Sequence, residues 1–358
     1  MSRILALNAY HGGSHSAFLQ GWIRRSRHAF SLLTLPPYKW KWRMRHAAVT
    51  FAEQLAKQEE TWDALFCTDM LNLAEFRGLC PPHVRRLPTI VYFHENQLTY
   101  PNRREQPRDL HYAFTNLTTA LAADRVWFNS EFHRQEFLTA LGAYLKRMPD
   151  YRPLDAVSRI REKSEIQPPG IEPFPEPAQK SEDDLHIVWA ARWEHDKNPE
   201  TFFQALKIVQ AARRSFTVSV LGESFANSPD CFAAARQWLG GAVKHWGYLP
   251  DRQAYRRVLS EADVVVSTAI HEFFGIAILE AAAAGCFPLA PRRLAYPEVL
   301  GAHFPGLYDG SAEELAARLL ERIDGGAAPD REFAETIERR YGWPRRASAL
   351  DNAAESVK

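Results

Sequence analysis

His271-Glu272-Phe273-Phe274-Gly275-Ile276 follows the β-branched run Val264 to Thr268 and opens an alanine-rich stretch, Gly275 to Ala284, that carries Glu280. An apolar run, a glycine-containing loop and a strong helix former, in that order, make one strand-loop-helix unit of a parallel sheet. Units of the same kind recur on both sides of it. In the second half of the chain, strands are expected at His186 to Ala191, Thr217 to Leu221, Val243 to Gly247 and Phe287 to Ala290. Helices are expected at Pro199 to Arg213, Asp251 to Glu261 and Ala312 to Ile323. The first half repeats the pattern, with strands at Ile4 to Ala9, Phe30 to Leu35, Ala64 to Thr68, Thr89 to His94 and Arg125 to Asn129. Its helices are expected at Ser14 to Arg25, with Ser14 as N-cap, and at Ala47 to Gln58, Asp109 to Ala123 and Glu131 to Leu145.

Between the two series the periodicity fails. From Arg152 to Asp184 the prolines at 168, 169, 173, 175 and 177 break any helix, apart from a short one expected at Leu154 to Lys163. The expected division is therefore 1–165 as a first domain, 166–184 as a linker, 185–330 as a second domain, and 331–358 as polar helices, broken at Gly342 to Pro344, that pack back on the first domain. The expected class is α/β, with two Rossmann-like, doubly wound domains facing a central cleft. Ligands of such sheets bind outside the carboxyl ends of the strands. No period of 20 to 50 residues repeats, which excludes solenoids and propellers.

The chain has 358 residues, long enough for two cores, and 46% apolar residues, too many for a disordered chain. No run approaches the length of a membrane helix and the N-terminus shows no signal-peptide pattern, so a cytoplasmic protein with no membrane partner is expected. Cys67, Cys80, Cys231 and Cys286 are scattered, which predicts neither a disulfide nor a metal site. A net charge of +1 argues against a general polyanion binder, yet the basic residues cluster early.

Gly275 permits close backbone approach at a helix start, where free N–H groups and the dipole favour an anion such as a pyrophosphate. Glu272 and Glu280 can accept hydrogen bonds from sugar hydroxyls. Any strand-loop-helix can hold a glycine and two glutamates, however. In Ala190-Ala191-Arg192-Trp193-Glu194-His195-Asp196-Lys197-Asn198, Arg192 and Lys197 stand at a strand end where a diphosphate could be clamped, or where two cations are simply solvated. Phe273, Phe274 and Ile276 join the expected donor site, and Tyr248, in Gly247-Tyr248-Leu249-Pro250, is the candidate for the base pocket.

In the first half, Tyr10-His11-Gly12-Gly13-Ser14-His15 closes the first strand, and Gly12 and Gly13 either approach a ligand or make a bland turn. Neither GxGxxG nor GxxxxGK[ST] is present, which weakens nicotinamide and P-loop readings. His94-Glu95-Asn96-Gln97-Leu98 is a polar run at a strand end, and His94 is the candidate for direct contact with the transferred group. His11, His15, Glu95, Asn96 and Gln97 are placed on the acceptor side. Asn129 and Ser130 either join that rim or cap the following helix. Lys39, Lys41, Arg43 and Arg45 alternate with Trp40 and Trp42 after Tyr38, which suits phosphates and unstacked bases of RNA. The same alternation fits an edge strand with its tryptophans inward. Arg103, Arg104 and Arg108 favour RNA, and Arg24, Arg25 and Arg27 extend the track or end a solvated helix.

Glu272 and Glu280, with Arg192, Lys197 and the Gly12-Gly13 loop, resemble the retaining GT-B glycosyltransferases of the family 4 type. The resemblance implies that the two glutamates bind donor sugar and ribose, that the basic pair holds the diphosphate, and that neither metal nor cofactor is required. Asn8 to His15, Leu35 to Arg45 and Tyr92 to Pro101 resemble the tRNA-queuosine alpha-mannosyltransferases more narrowly. That implies a nucleotide sugar and a tRNA as partners, with mannose moving from GDP-mannose to the cyclopentenediol of queuosine in an aspartate tRNA. A family 4 transferase with a small-molecule, lipid or glycan acceptor is the second expectation, and a non-catalytic tRNA- or nucleotide-binding protein the third.

Overall fold

The computed structural model describes residues 1–101, 109–174, 184–325 and 331–357. In chain order the first elements are β1 (Arg3–Asn8), α1 (Gly13–Ile23), β2 (Ala29–Thr34), α2 (Trp40–Leu55), β3 (Ala64–Thr68), α3 (Leu73–Leu79), α4 (Pro82–Arg85), β4 (Thr89–Phe93), α5 (Leu110–Ala122), β5 (Arg125–Phe128), α6 (Glu131–Lys146), α7 (Ala156–Glu162) and β6 (Ser164–Ile166). They are followed by β7 (Leu185–Ala190), a 3-10 turn at His195–Lys197, α8 (Pro199–Ala211), β8 (Phe216–Leu221), α9 (Cys231–Leu239), β9 (Val243–Gly247), α10 (Arg252–Glu261), β10 (Val264–Val266), α11 (Ile276–Ala283), β11 (Phe287–Pro291), α12 (Tyr296–Leu300), β12 (Leu307–Tyr308), α13 (Ala312–Gly325), α14 (Arg331–Tyr341) and α15 (Trp343–Glu355).

The chain divides into two compact units, Met1–Gly170 with Trp343–Lys358, and Ile171–Gly342. The first holds a parallel six-stranded sheet in the order β2-β1-β3-β4-β5-β6. Its central strands β3 and β4 are buried at every residue, as continuous apolar runs covered by helices on both faces must be. The register Ile4↔Ala64, Leu65↔Thr89 and Phe93↔Phe128 brings the carboxyl ends of β1, β3, β4 and β5 to one side. The second unit has its own parallel sheet, β12-β11-β10-β7-β8-β9, with Val264 paired to Ile187 and Phe287.

The chain crosses from unit to unit at two adjacent places, Gly170 to Ile171 and Gly342 to Trp343, and Ile171 bridges Gly342. The last residues therefore do not act together, as the sequence suggested. Ala334, Ile337 and Tyr341 of α14 are buried in the second unit, and only α15 joins the first. In α15 the stripe Trp343, Ala347, Leu350 and Ala354 is buried, at the spacing of one helix face. Trp343 lies so close to Gly21 and Gly170 that a Cβ on either glycine would collide with its indole. Asp351 accepts hydrogen bonds from Trp22 Nε1 at 2.7 Å, Ser26 Oγ at 2.6 Å and the Arg27 amide at 2.9 Å.

Several boundaries differ from the sequence reading. Helix α1 starts at Gly13, with Gly12 rather than Ser14 at the N-cap. Helix α2 starts at Trp40, well before Ala47, because Lys39 turns the chain in the left-handed region (φ 53°). The short strands β6 and β12 have too few residues to show a period of two. Among the described residues, no helix is long and apolar enough to cross a membrane.

Candidate active site

In the second unit, the loop between β10 and α11 and the turn after β7 are tied into one structure. Thr268 Oγ1 donates to the Lys197 carbonyl at 2.8 Å, and the Ile270 and His271 amides donate to the Asp196 carbonyl at 2.9 and 3.3 Å. This fixes the Lys197 ammonium against the other loop. Its Nζ donates to the His271 carbonyl at 2.8 Å and pairs with Glu272 Oε2 at 3.3 Å and Asp196 Oδ2 at 3.1 Å.

Gly275 is the N-cap of α11, at φ 87°, and a Cβ there would stand 2.8 Å from Tyr296 Cε1. Glycine is therefore required both by backbone conformation and by the Tyr296 ring, which Ser267 Oγ holds through a 2.6 Å hydrogen bond. Lys197, Glu272, Gly275, Ser267, Tyr296 and Trp189 line one small cavity beside the start of α11. A cation, the positive end of a helix and a carboxylate thus meet at one place, the chemistry that recognises an anion attached to a polyol.

Burial works against both charges, yet each is kept. Burial acts to lower the Lys197 pKa, and the charges of Glu272 and Asp196 overcome it and hold the ammonium above its ordinary value. Burial likewise acts to raise Glu272, and Lys197 with the Phe274 and Gly275 amides takes the carboxyl below the usual range. The Phe274 amide donates to Glu272 Oε1 at 3.3 Å. The pair therefore stays ionised across the neutral range.

The other donor-side candidates do not line this cavity. Arg192 pairs with Glu194 at 3.1 Å, near enough to Lys197 for its charge to oppose that ammonium. Glu280 accepts from Tyr255 Oη at 3.2 Å and lies 3.9 Å from Arg252, and burial raises its carboxyl pKa. The buried Phe274 ring packs edge-on against Tyr341, and Phe273 against His271. Ile276 is half-buried, and Tyr248 is exposed. Tyr296, Ser267 and Trp189 were missed by sequence reasoning. Tyr296 stands two elements away from the motif, although its position after a strand was a signal.

In the first unit the polar residues at the strand ends also gather. The His94 amide donates to Asp69 Oδ1 at 3.0 Å, and Asn129 Nδ2 donates to the His94 carbonyl at 3.0 Å. The His94 ring lies 4.0 Å from that of His15. Burial, then His15 and His133, push His94 well below its ordinary pKa, so the imidazole is neutral. Its Nε2 is buried and has no hydrogen-bond partner among the described residues. His11 contacts Asn8 Nδ2 at 3.1 Å and Ser16 Oγ at 3.2 Å, and burial lowers its pKa. Gly13 has φ 51° with open space at its Cβ position, whereas Gly12 is packed against Pro37.

The rest of the polar run is partly architectural. Asn96 Oδ1 accepts the Leu98 and Thr99 amides at 3.0 and 2.9 Å, and Glu95 accepts from Gln97 Nε2 at 3.0 Å. Ser130 caps α6 by accepting the His133 amide. Asp69 was missed. Burial and the nearby charge of Glu95 raise its carboxyl well above the usual range. Its place just beyond β3 was the available signal.

The Lys-Trp-Lys-Trp run opens helix α2 and is not an edge strand. Trp40 packs on Tyr112, with ring centroids 5.1 Å apart, and Arg43 is buried, donating to the Pro36 carbonyl at 3.1 Å. Neither is an open contact for phosphate or base, because helical spacing turns both inward. Lys39, Lys41, Trp42 and Arg45 are exposed. Arg27 pairs with Glu355 at 2.8 Å. Arg103, Arg104 and Arg108 lie outside the described residues. Among the described residues, no group of three or more His, Cys, Asp or Glu side chains is placed to hold a metal ion.

Residues 3–171 match the family model "tRNA-queuosine alpha-mannosyltransferase N-terminal", and residues 171–339 match "Glycosyl transferases group 1". The chain is 38% identical over 308 residues to the tRNA-queuosine alpha-mannosyltransferase of Drosophila melanogaster, covering 83% of this chain and 81% of that one. It is 25% identical over 249 residues to a GDP-mannose-dependent alpha-(1-6)-phosphatidylinositol dimannoside mannosyltransferase of Mycobacterium tuberculosis, covering 66% of this chain and 59% of that one. Among solved structures, sucrose-phosphate synthase from Thermosynechococcus elongatus superposes with a TM-score of 0.73 at 16% identity, over 99% of each chain. Anabaena HepE in complex with UDP and glucose gives a TM-score of 0.67 at 16% identity, over 99% of this chain and 100% of that one.

Proposed function

On the premise that the chain belongs to the tRNA-queuosine alpha-mannosyltransferase family and has the GT-B glycosyltransferase fold, we propose that it moves mannose from GDP-mannose to the cyclopentenediol of queuosine in tRNA-Asp, with retention at the anomeric carbon. The observation that carries the donor half of this reading is the meeting of Lys197, Glu272 and the Gly275 helix start in one cavity. Lys197 and the free amides of α11 face charge that grows on the departing diphosphate, stabilisation of the kind that contributes most to many enzymes. Glu272, kept ionised, accepts hydrogen bonds from the hexose, while Gly12, Gly13, Arg192, Glu280, Tyr248, Phe273, Phe274 and Ile276 are proposed as donor contacts outside that cavity.

In the proposed step, the bond from the mannose anomeric carbon to the β-phosphate oxygen breaks and a bond to the acceptor oxygen forms. The acceptor proton passes to the leaving phosphate, giving GDP and mannosylated tRNA. His94 is the proposed hydrogen-bond partner of the reacting sugar, because its buried Nε2 is left unpartnered among the described residues. His11, His15, Glu95 and Gln97 belong to the proposed acceptor side. Arg192 and Lys197 supply positive charge, so the proposal requires no metal and no cofactor, and a cytoplasmic location goes with it.

The test is to incubate the chain with labelled GDP-mannose and tRNA from cells with or without queuosine. Label only in the queuosine-containing tRNA supports the reading, and label in neither removes the acceptor. The Mycobacterium relative's name favours a second reading, a mannosylated lipid acceptor. Apparent affinity for an RNA acceptor contacted through several phosphates falls steeply with salt, and affinity for a lipid acceptor with a single phosphate falls far less.

A further inference from the structure

Residues 28–52 contain no Asp or Glu, and this stretch holds Lys39, Lys41, Arg43 and Arg45. The structure sorts the aromatic residues among them into two kinds. Trp40 is packed on Tyr112, whereas Tyr38 is 58% exposed and Trp42 is 61% exposed. Single exposed aromatics are common, but these two are held from behind by one connected pair of side chains. The Arg43 guanidinium lies 4.5 Å from the centre of the Tyr38 ring. The His46 ring stacks on Trp42 with centroids 4.9 Å apart and planes 28° apart.

Arg43 and His46 are themselves joined. Arg43 Nη1 lies 2.7 Å from His46 Nε2, His46 Nδ1 lies 2.8 Å from Thr50 Oγ1, and Arg43 Nε donates to the Pro36 carbonyl at 3.1 Å. Burial, then the Arg43 charge, lower the His46 pKa, which suits a neutral ring accepting from the guanidinium. Both exposed rings therefore sit on a fixed support, and little rotamer freedom remains to be lost when something stacks on them. Lys39, Lys41 and Arg45 are exposed in the same stretch, Lys41 and Arg45 lying over the neighbouring Tyr112 ring, and the first turn of α2 carries no acidic residue.

We propose that Tyr38 and Trp42, supported by Arg43 and His46, form a stacking platform for the unpaired bases of a single-stranded RNA loop, whose adjoining phosphates meet the exposed Lys39, Lys41 and Arg45 of the same stretch. The proposal rests on the function proposed above only for which RNA is held there. Planar faces bordered by cations are the combination that binds unstacked bases without reading their sequence. A membrane-inserting patch needs contiguous apolar surface instead, and here the Arg43 guanidinium lies against the Tyr38 ring and the neighbouring surface residues include exposed Lys39, Lys41 and Arg45.

The test uses the full chain and two fluorescent probes, an RNA hairpin with an unpaired loop and a fully paired duplex of equal length. For Tyr38→Ala/Trp42→Ala, hairpin affinity should fall by roughly 5- to 100-fold, with little change for the duplex. Thermal unfolding of this variant should match the parent, because both side chains are exposed. His46→Ala, which removes the support under Trp42, should weaken hairpin binding in the same direction. Lys39→Ala/Lys41→Ala/Arg45→Ala should weaken both probes and flatten the salt dependence by about 0.7 to 0.9 in log–log slope for each lost phosphate contact.

Hairpin affinity within about twofold of the parent in the double aromatic variant overturns the platform. It is equally overturned if the parent binds vesicles of phosphatidylserine and phosphatidylcholine through these residues and binds no hairpin. Hairpin binding that needs the two rings, together with no mannose transfer to queuosine tRNA, supports the platform and rejects the acceptor assignment.

Discussion

Replacing Lys197 with alanine removes the one charge that two carboxylates share. The Lys197 side chain is 13% exposed, and its Nζ lies 3.3 Å from Glu272 and 3.1 Å from Asp196. At an effective dielectric of about 20, each contact is worth about 5 kcal/mol of Coulomb energy before desolvation is subtracted. Breaking such a pair by deleting one partner costs about 3–5 kcal/mol when it is fully buried, and the partial exposure of Glu272 reduces this to about 1–3 kcal/mol of folding stability. The catalytic loss has a different origin, since it comes from charge that grows only in the transition state. Removing one such stabilising group lowers kcat by about 100- to 1000-fold.

The assay is release of labelled mannose to queuosine tRNA at saturating GDP-mannose, with unfolding followed separately by urea. Donor saturation separates the loss of kcat from weaker binding. The pH response adds a second readout. Glu272 has a depressed carboxyl pKa, so its ionised form contributes stability that is present above its unfolded value of about 4.3 and is lost as pH falls through the folded value. In Lys197→Ala the counter-charge is gone while burial remains, so that loss begins at higher pH. A variant with kcat within about threefold of the parent at saturating donor would refute the role assigned to Lys197.

Asp351→Ala should lower the urea stability of the first unit by about 3–5 kcal/mol, because it leaves Trp22 Nε1, Ser26 Oγ and the Arg27 amide without their shared acceptor. An unchanged midpoint would mean that Asp351 does not anchor α15. Asp69 is raised by burial and by Glu95, so its protonated form contributes stability that is full below about pH 3.9 and is lost as pH rises toward the folded value. Asp69→Asn keeps an oxygen for the His94 amide, and its stability relative to the parent should therefore grow as pH rises. A difference that stays constant from pH 4 to 8 would contradict this.

Much of the architecture was legible in the residues. Buried parallel strands need continuous apolar runs, and β3, β4 and β7 are such runs, found at or near the expected ends. Gly275 was legible as well, because a glycine between a strand and an alanine-rich helix marks a backbone conformation that other residues rarely adopt, and its φ of 87° is of that kind. The early start of α2 was not legible. The alternation Lys-Trp-Lys-Trp has the period of a strand, and the helix is set by the left-handed turn at Lys39 and by the packing of Trp40 on Tyr112, residues far apart in sequence.

The sequence by itself determined that two βα series exist and which strand ends carry charge, since period and punctuation are local properties of the chain. Only the tertiary structure decided which of those charges meet. Lys197 reaches Glu272 because hydrogen bonds from the Thr268 hydroxyl and the Ile270 and His271 amides tie two loops that lie more than seventy positions apart, whereas Arg192, five residues before Lys197, pairs with Glu194. It also decided that Trp42 stays open while Trp40 closes on Tyr112. Side-chain direction follows from the turn of the helix, and a run of alternating residues does not carry that information on its own.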